Sequence, residues 1–121
     1  MSTSSLEASV RQASGVAIID LHGEIDSFGE QTLNAAYTEA ESQASHAILL
    51  NFSDVQYINS TGIALIVGLL ARARKAHCRL LACGLSEHYI EIFQITRLVD
   101  FMNLFADEAS ALKDSPASPK A

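Results

Sequence analysis

The chain has 121 residues, 49% of them apolar, and a formal net charge of -6, which is enough for one full hydrophobic core and too little for two. The acidic balance argues against nucleic acid as the main partner, because phosphate backbones are bound chiefly through clustered Lys and Arg. Only Arg72, Arg74, Lys75 and Arg79 cluster, four of the eight basic residues, and three of them end a predicted helix, where positive charge complements the dipole.

Membrane spans are not expected. The apolar run Gly62 to Ala71 is ten residues long and meets Arg72, well short of the ~18 to 20 a bilayer span needs. Met1 to Ser5 is polar and lacks the basic and apolar regions of a signal peptide, so a cytoplasmic protein is expected.

In chain order, Leu6 to Gln12 and Val16 to Leu21 read as two strands joined by a tight turn at Ser14-Gly15. From Ser27 to about Ala44, Leu33, Ala36, Tyr37, Ala40 and Ala44 recur at helical spacing, and Ser27 with Glu30 fits a capping box. Ala47 to Phe52 is apolar apart from Asn51 and suits a strand buried on both faces. A loop is then expected up to Ser60, where a helix starts that runs to about Ala76, apolar early and basic late.

Arg79 to Ala82 reads as a short strand closed by Gly84, and Ser86 as the cap of a helix carrying Ile90, Phe93 and Ile95. A last strand is expected near Phe101 to Phe105, and Asp107 as the cap of a closing helix through Leu112. Residues 1–113 then form one domain, and both prolines fall in a polar tail, Asp114 to Ala121, expected to be disordered. Strands alternating with helices imply a small α/β layered domain, its largely parallel sheet having an antiparallel hairpin at the amino end. Gly23 to Ser27, Ser53 to Thr61 and Gly84 to Ser86 are expected along one edge of that sheet, where any site should lie.

Cys78 and Cys83 fall at the two ends of one predicted strand, and five steps of about 3.3 Å hold their Cα atoms too far apart for a disulfide. Reduced thiols are expected, and His77-Cys78 with Cys83 lacks the paired spacing of a zinc site. The four histidines are scattered, and no Ser/His/Asp order or GxxxxGK[ST] loop appears. Glu24 and Asp26 read more simply as solvated loop carboxylates than as a paired acid/base or Mg²⁺ site.

The run Tyr57-Ile58-Asn59-Ser60-Thr61-Gly62-Ile63 is the most informative. It places two hydroxyls where an apolar strand and loop turn into the long helix. Asn59, Ser60 and Thr61 are all good N-cap types, and capping explains any one of them. Three in a row exceed what capping needs. The first turn of a helix also stabilises an anion, so a phosphate on Ser60 would meet a prepared site, and Gly62 would allow its close approach.

Leu21-His22-Gly23-Glu24-Ile25-Asp26, then Asn51 to Val55 with Ile58 to Ile63, then Phe93-Gln94-Ile95-Thr96-Arg97-Leu98, in that order and spacing, resemble the STAS family, specifically its bacterial anti-sigma factor antagonists. The resemblance covers about Leu6 to Leu112. It implies the STAS fold, a small mixed and mostly parallel sheet of about five strands with about four helices, and a protein with no catalytic activity, cofactor or metal. It further implies that the chain binds a kinase-type anti-sigma factor, releases the sigma factor, and is switched off when the kinase phosphorylates one serine. A metal-dependent serine phosphatase would reset it.

The serine matching the family pattern Asp-Ser-(Ser/Thr)-Gly is Ser60, with Thr61 as second choice, and Asn59 replaces the family's Asp. Asp26 matches the family's loop carboxylate. The expected docking surface is Asp26, Ile58, Asn59, Ser60, Thr61, Gly62 and Ile63, and a phosphate there would repel the partner near Asp26 and Asp54. The alternative is a scaffold or sensory STAS module of a larger assembly, with Ser60 a structural helix cap. Nucleotide or lipid binding, known in some of the wider family, has no positive sign in these residues. The amino-terminal strand, if its edge is free, is able to pair with a second copy in a weak homodimer.

Overall fold

The computed structural model describes residues 5–43 and 46–114. Its first two strands, β1 (Glu7–Ala13) and β2 (Val16–Ile25), form the expected antiparallel hairpin. Ser14 and Gly15 turn the chain with φ of 55° and 80°, the two-residue geometry that matches strand twist. Next come α1 (Glu30–Gln43), β3 (Ala47–Ile58), α2 (Ser60–Lys75), β4 (Arg79–Cys83), α3 (Glu87–Ile95), β5 (Asn103–Phe105) and α4 (Glu108–Asp114). The five strands lie in sequence order, and every pair after the first is parallel. This is the small mixed α/β sheet expected of a STAS fold. Among the described residues β1 is an edge strand, paired to β2 alone.

Alternation along the strands sorts the core into two layers. Ile19, Leu21, Ile48 and Leu50 point to the face covered by α1, α2 and α3, where Tyr37, Ile66, Leu69 and Phe93 complete the larger core. Phe52 meets Phe93 edge to face, with ring centroids 6.2 Å apart. Ile18, Leu49, Leu81 and Cys83 point the other way and are covered by Ala111 and Leu112 of α4. Arg11 clasps that layer. Its Nε donates to Asp20 (2.6 Å), and its guanidinium also donates to Glu108 at the start of α4 (3.0 Å).

The structure corrects several boundaries. β2 ends at Ile25 and β3 at Ile58, so most of the expected loops 23–27 and 53–59 are strand. They stay extended because they pair with each other beyond the point where β4 stops, opposite Asn51. Asp20 faces Asn51, His22 faces Asp54, and Glu24 faces Tyr57. β3 therefore gains one residue on β2 at each of two bulges.

The expected Ser27–Glu30 capping box is not formed. Asp26 is extended and caps a 3-10 turn, Ser27–Gly29, by accepting from Phe28 N, and α1 follows that turn. β5 begins at Asn103 rather than Phe101, after a 3-10 turn at Leu98–Asp100. Asp107 caps α4 as expected, accepting from Ser110 N at 2.8 Å. The expected end of α1 at Ala44 and the tail from residue 115 onward lie outside the described residues, and Asp114 closes α4. Among the described residues no helix is long and apolar enough to cross a membrane.

Candidate functional site

At the far end of the β2–β3 ribbon one last backbone hydrogen bond joins the two strands. Ile25 O accepts from Asn59 N at 3.2 Å, and from there one chain enters the 3-10 turn while the other starts α2. Asn59 is extended (φ -89°, ψ -177°) and its Oδ1 accepts from Gly62 N at 2.8 Å. Ile63 N donates to Asn59 O at 2.9 Å, closing the first turn. The cap is therefore Asn59, one of the three candidate cap residues, and not Ser60, the cap of the alternative scaffold reading. Ser60 and Thr61 occupy the first two helical positions, are exposed, and have hydroxyls with no hydrogen-bond partner among the described residues.

Gly62 is buried where α2 presses on β2. A β-carbon there would stand 2.2 Å from Ile25 O and 2.9 Å from Ile58 Cγ2, so only glycine lets the helix begin this close to the strand. Ile58, expected in a contact surface, is only 4% exposed. The second bulge brings it to the same face as Ile25, and its N–H donates to Tyr89 Oη of α3 at 2.9 Å. Ile63 is half-buried and packs on the core. Ile58, Gly62 and Ile63 thus brace the site from below, and Ser60 and Thr61 present it to solvent.

The first turn of α2 carries no acidic side chain, and although Gly62 N–H is taken by Asn59, the N–H groups of exposed Ser60 and Thr61 and the helix dipole are left without an anionic side chain, a setting that stabilises an anion. Asp26 is half-buried on the neighbouring turn, with Oδ1 taking Phe28 N at 3.0 Å. Asp54 lies farther off. It faces His22, and four residue steps along β3, about 13 Å of strand, separate it from Ile58. With Glu7, Asp20 and His22 it lines a shallow cavity of about 350 Å³. Among the described residues no group of three or more His, Cys, Asp or Glu is placed to hold a metal ion.

The other candidate residues have structural places. Arg72 pairs with Glu41 (2.8 Å) and lies over the Tyr37 ring, Arg74 lies over Phe101, and Arg79 donates to Asn103. Both cysteines are free thiols. Burial pushes the Cys78 thiol up, and that of Cys83 to about 11.

The STAS domain family model matches residues 7–111. The chain belongs to the STAS family. Among relatives of this STAS domain, a Staphylococcus epidermidis protein named anti-sigma-B factor antagonist is 29% identical over 86 residues, which cover 71% of this chain and 80% of that protein. The protein of the same name from Staphylococcus aureus strain NCTC 8325 is 29% identical over the same shares. An anti-sigma factor antagonist from Mycobacterium paratuberculosis shares the fold at TM-score 0.72 and 20% identity, over 90% of this chain and 92% of that one. The Bacillus protein SpoIIAA, in its phosphorylated form, does so at TM-score 0.67 and 21% identity, over 88% and 96%.

Two residues of this STAS edge escape a reading of the sequence. Tyr89 holds the end of β3, a role invisible while 53–59 reads as loop. Phe28 is 94% exposed on the turn beside Asp26. Its one signal in the sequence is that it stands outside the buried stripe Leu33, Ala36, Tyr37 and Ala40 of the helix that follows.

Proposed function

We propose that this protein is an anti-sigma factor antagonist whose α2 edge docks, with Ser60 unmodified, on a kinase-type anti-sigma factor in the cytoplasm and so frees the sigma factor. Family membership and the names of the relatives support this reading. The observation that carries it is the division of labour at the helix start: Asn59 does the capping, and the Ser60 hydroxyl is left exposed and unbonded at a rigid, anion-tolerant position.

In the switching step, Ser60 Oγ bonds to the γ-phosphorus of ATP held by the partner. The bond to the β–γ bridging oxygen breaks, ADP leaves, and the hydroxyl proton passes to a base of the kinase. The product carries about -1.5 to -2 charge near neutral pH. α2 accepts that charge at its amino end without refolding. The docking surface does not, because the phosphate adds to the Asp26 carboxylate and must be desolvated on contact. A metal-dependent serine phosphatase restores the hydroxyl by transferring the phosphoryl group to water. Asn59, neutral where the family pattern has Asp, keeps the bond to Gly62 N while removing one charge that would oppose the phosphate.

Phosphopeptide mapping of the protein from its own cells, with and without stress, tests the modification. One phosphate on Ser60 with condition-dependent occupancy is expected. Ser60→Ala should bind the anti-sigma factor like the unmodified protein, and Ser60→Asp at least tenfold more weakly. Equal binding by the two variants would overturn the switch.

A further inference from the structure

Phe28 is the most exposed large apolar side chain among the described residues, at 94%, and nothing in the packing of the domain explains it. A phenylalanine ring is a large apolar surface to leave in water. Its backbone is held still. Phe28 N donates to Asp26 Oδ1 and Gly29 N to Asp26 O, each at 3.0 Å. Gly29 is buried beneath Leu6, whose Cδ2 would stand 3.0 Å from a β-carbon there. An aromatic side chain with only two rotatable bonds, carried on a pinned turn, gives up no backbone freedom on binding, which is the character of an interface anchor.

Its position ties it to Ser60. Phe28 lies three residues after Ile25, and Ser60 one residue after Asn59, the residue hydrogen-bonded to Ile25 O. The surface continues without charge along α2 through exposed Thr61, Ala64, Val67 and Gly68. Within four residues of Phe28 in the chain the ionisable side chains are all acidic, Glu24, Asp26 and Glu30, and there is no Lys or Arg between Arg11 and Arg72.

We infer that Phe28 is the apolar anchor of the docking surface, and that its ring enters an apolar pocket of the anti-sigma factor framed by Lys or Arg side chains facing Glu24, Asp26 and Glu30. The inference rests on the docking reading above and adds the residue that supplies affinity and the chemistry of the pocket that receives it. Phosphorylation of Ser60 then acts beside the anchor.

The test is titration of the full chain against the purified kinase-type anti-sigma factor of the same organism, at low and high salt, with Phe28→Ala and Ser60→Asp in parallel. Phe28→Ala is expected to weaken binding at least tenfold, chiefly through faster dissociation, with an unchanged melting temperature, and the unmodified protein to associate more slowly at high salt. Retention of binding within twofold by Phe28→Ala, with loss by Ser60→Asp, would overturn the anchor and leave the docking reading standing. No binding by the unmodified protein would overturn both. If Phe28→Ala instead converts a dimer to a monomer in sedimentation while partner binding is unchanged, the ring seats on a second copy, and the anchor role is overturned.

Discussion

Replacing Gly62 by alanine tests how closely the helix start is fitted to the strand beneath it. The new β-carbon would lie 2.2 Å from Ile25 O and 2.9 Å from both Ile25 C and Ile58 Cγ2, so α2 must retreat by about 1 Å to restore ordinary contact. That retreat stretches the Asn59 N to Ile25 O bond, already 3.2 Å, beyond useful length, at about 1 kcal/mol. Overpacking adds about 1 to 3 kcal/mol, and the better helix propensity of alanine returns at most about 1 kcal/mol. The net expectation is a loss of about 1 to 4 kcal/mol, or ~10 °C in melting temperature at the middle of that range for a domain of this size. Gly68, on the same helix, has nothing within 4 Å of a β-carbon, so Gly68→Ala should stabilise by about 0.5 to 1 kcal/mol. Urea unfolding followed by circular dichroism, with slopes compared, reads both. The reasoning fails if Gly62→Ala is as stable as the natural protein, or if the two variants shift in the same direction.

Tyr89→Phe leaves the buried Ile58 N–H without its acceptor and should cost about 1 to 3 kcal/mol, with faster amide exchange at Ile58; an unchanged urea midpoint and unchanged exchange would contradict it. The Asp20 carboxyl is held below its ordinary range, first by the Arg11 guanidinium and also by the Asn51 amide, against the opposing effect of burial. Its contribution is therefore complete above the unfolded value of about 4 and lost as pH falls through the lower folded value. Because the Arg11 and Asp20 side chains are 43% and 31% exposed, that contribution is at most about 1 kcal/mol; Arg11→Met, which also removes the pair with Glu108, should lower stability by up to about 2 kcal/mol at pH 7 and reduce its acid dependence below pH ~4. Cys83, fully buried with its thiol pushed up to about 11, should resist iodoacetamide at pH 8 in the folded protein and react in urea, as peptide mass mapping would report.

Where local chemistry decides, the sequence is readable. The hairpin follows from its turn residues, α3 starts after Ser86, which accepts from Tyr89 N, and α2 starts at Ser60. Legibility fails where two segments depend on each other. His22 to Asp26 and Ser53 to Asn59 look like loops because each bulge breaks the period of two: buried or partly buried positions in β3 run Phe52, Val55, Ile58, three apart. No alternation can be read from that spacing without the partner strand. The same blind spot hid Tyr89, and it made Ile58 look like surface. Asp26 capping the turn in place of Ser27 was equally hidden, since it depends on β2 reaching Ile25.

Those two bulges also make the β2–β3 ribbon a parity counter. One extra residue in β3 exchanges the two faces of every later residue, and a second exchanges them back, so Ile58 returns to the core and Asn59 meets the carbonyl of Ile25. Insertions and deletions between Asn51 and Ile58 should therefore be judged by whether they are odd or even. An odd change turns Ile58 outward and aims the start of α2 away from its socket, whereas an even change moves Ser60 along the ribbon by about 6.6 Å with its orientation kept.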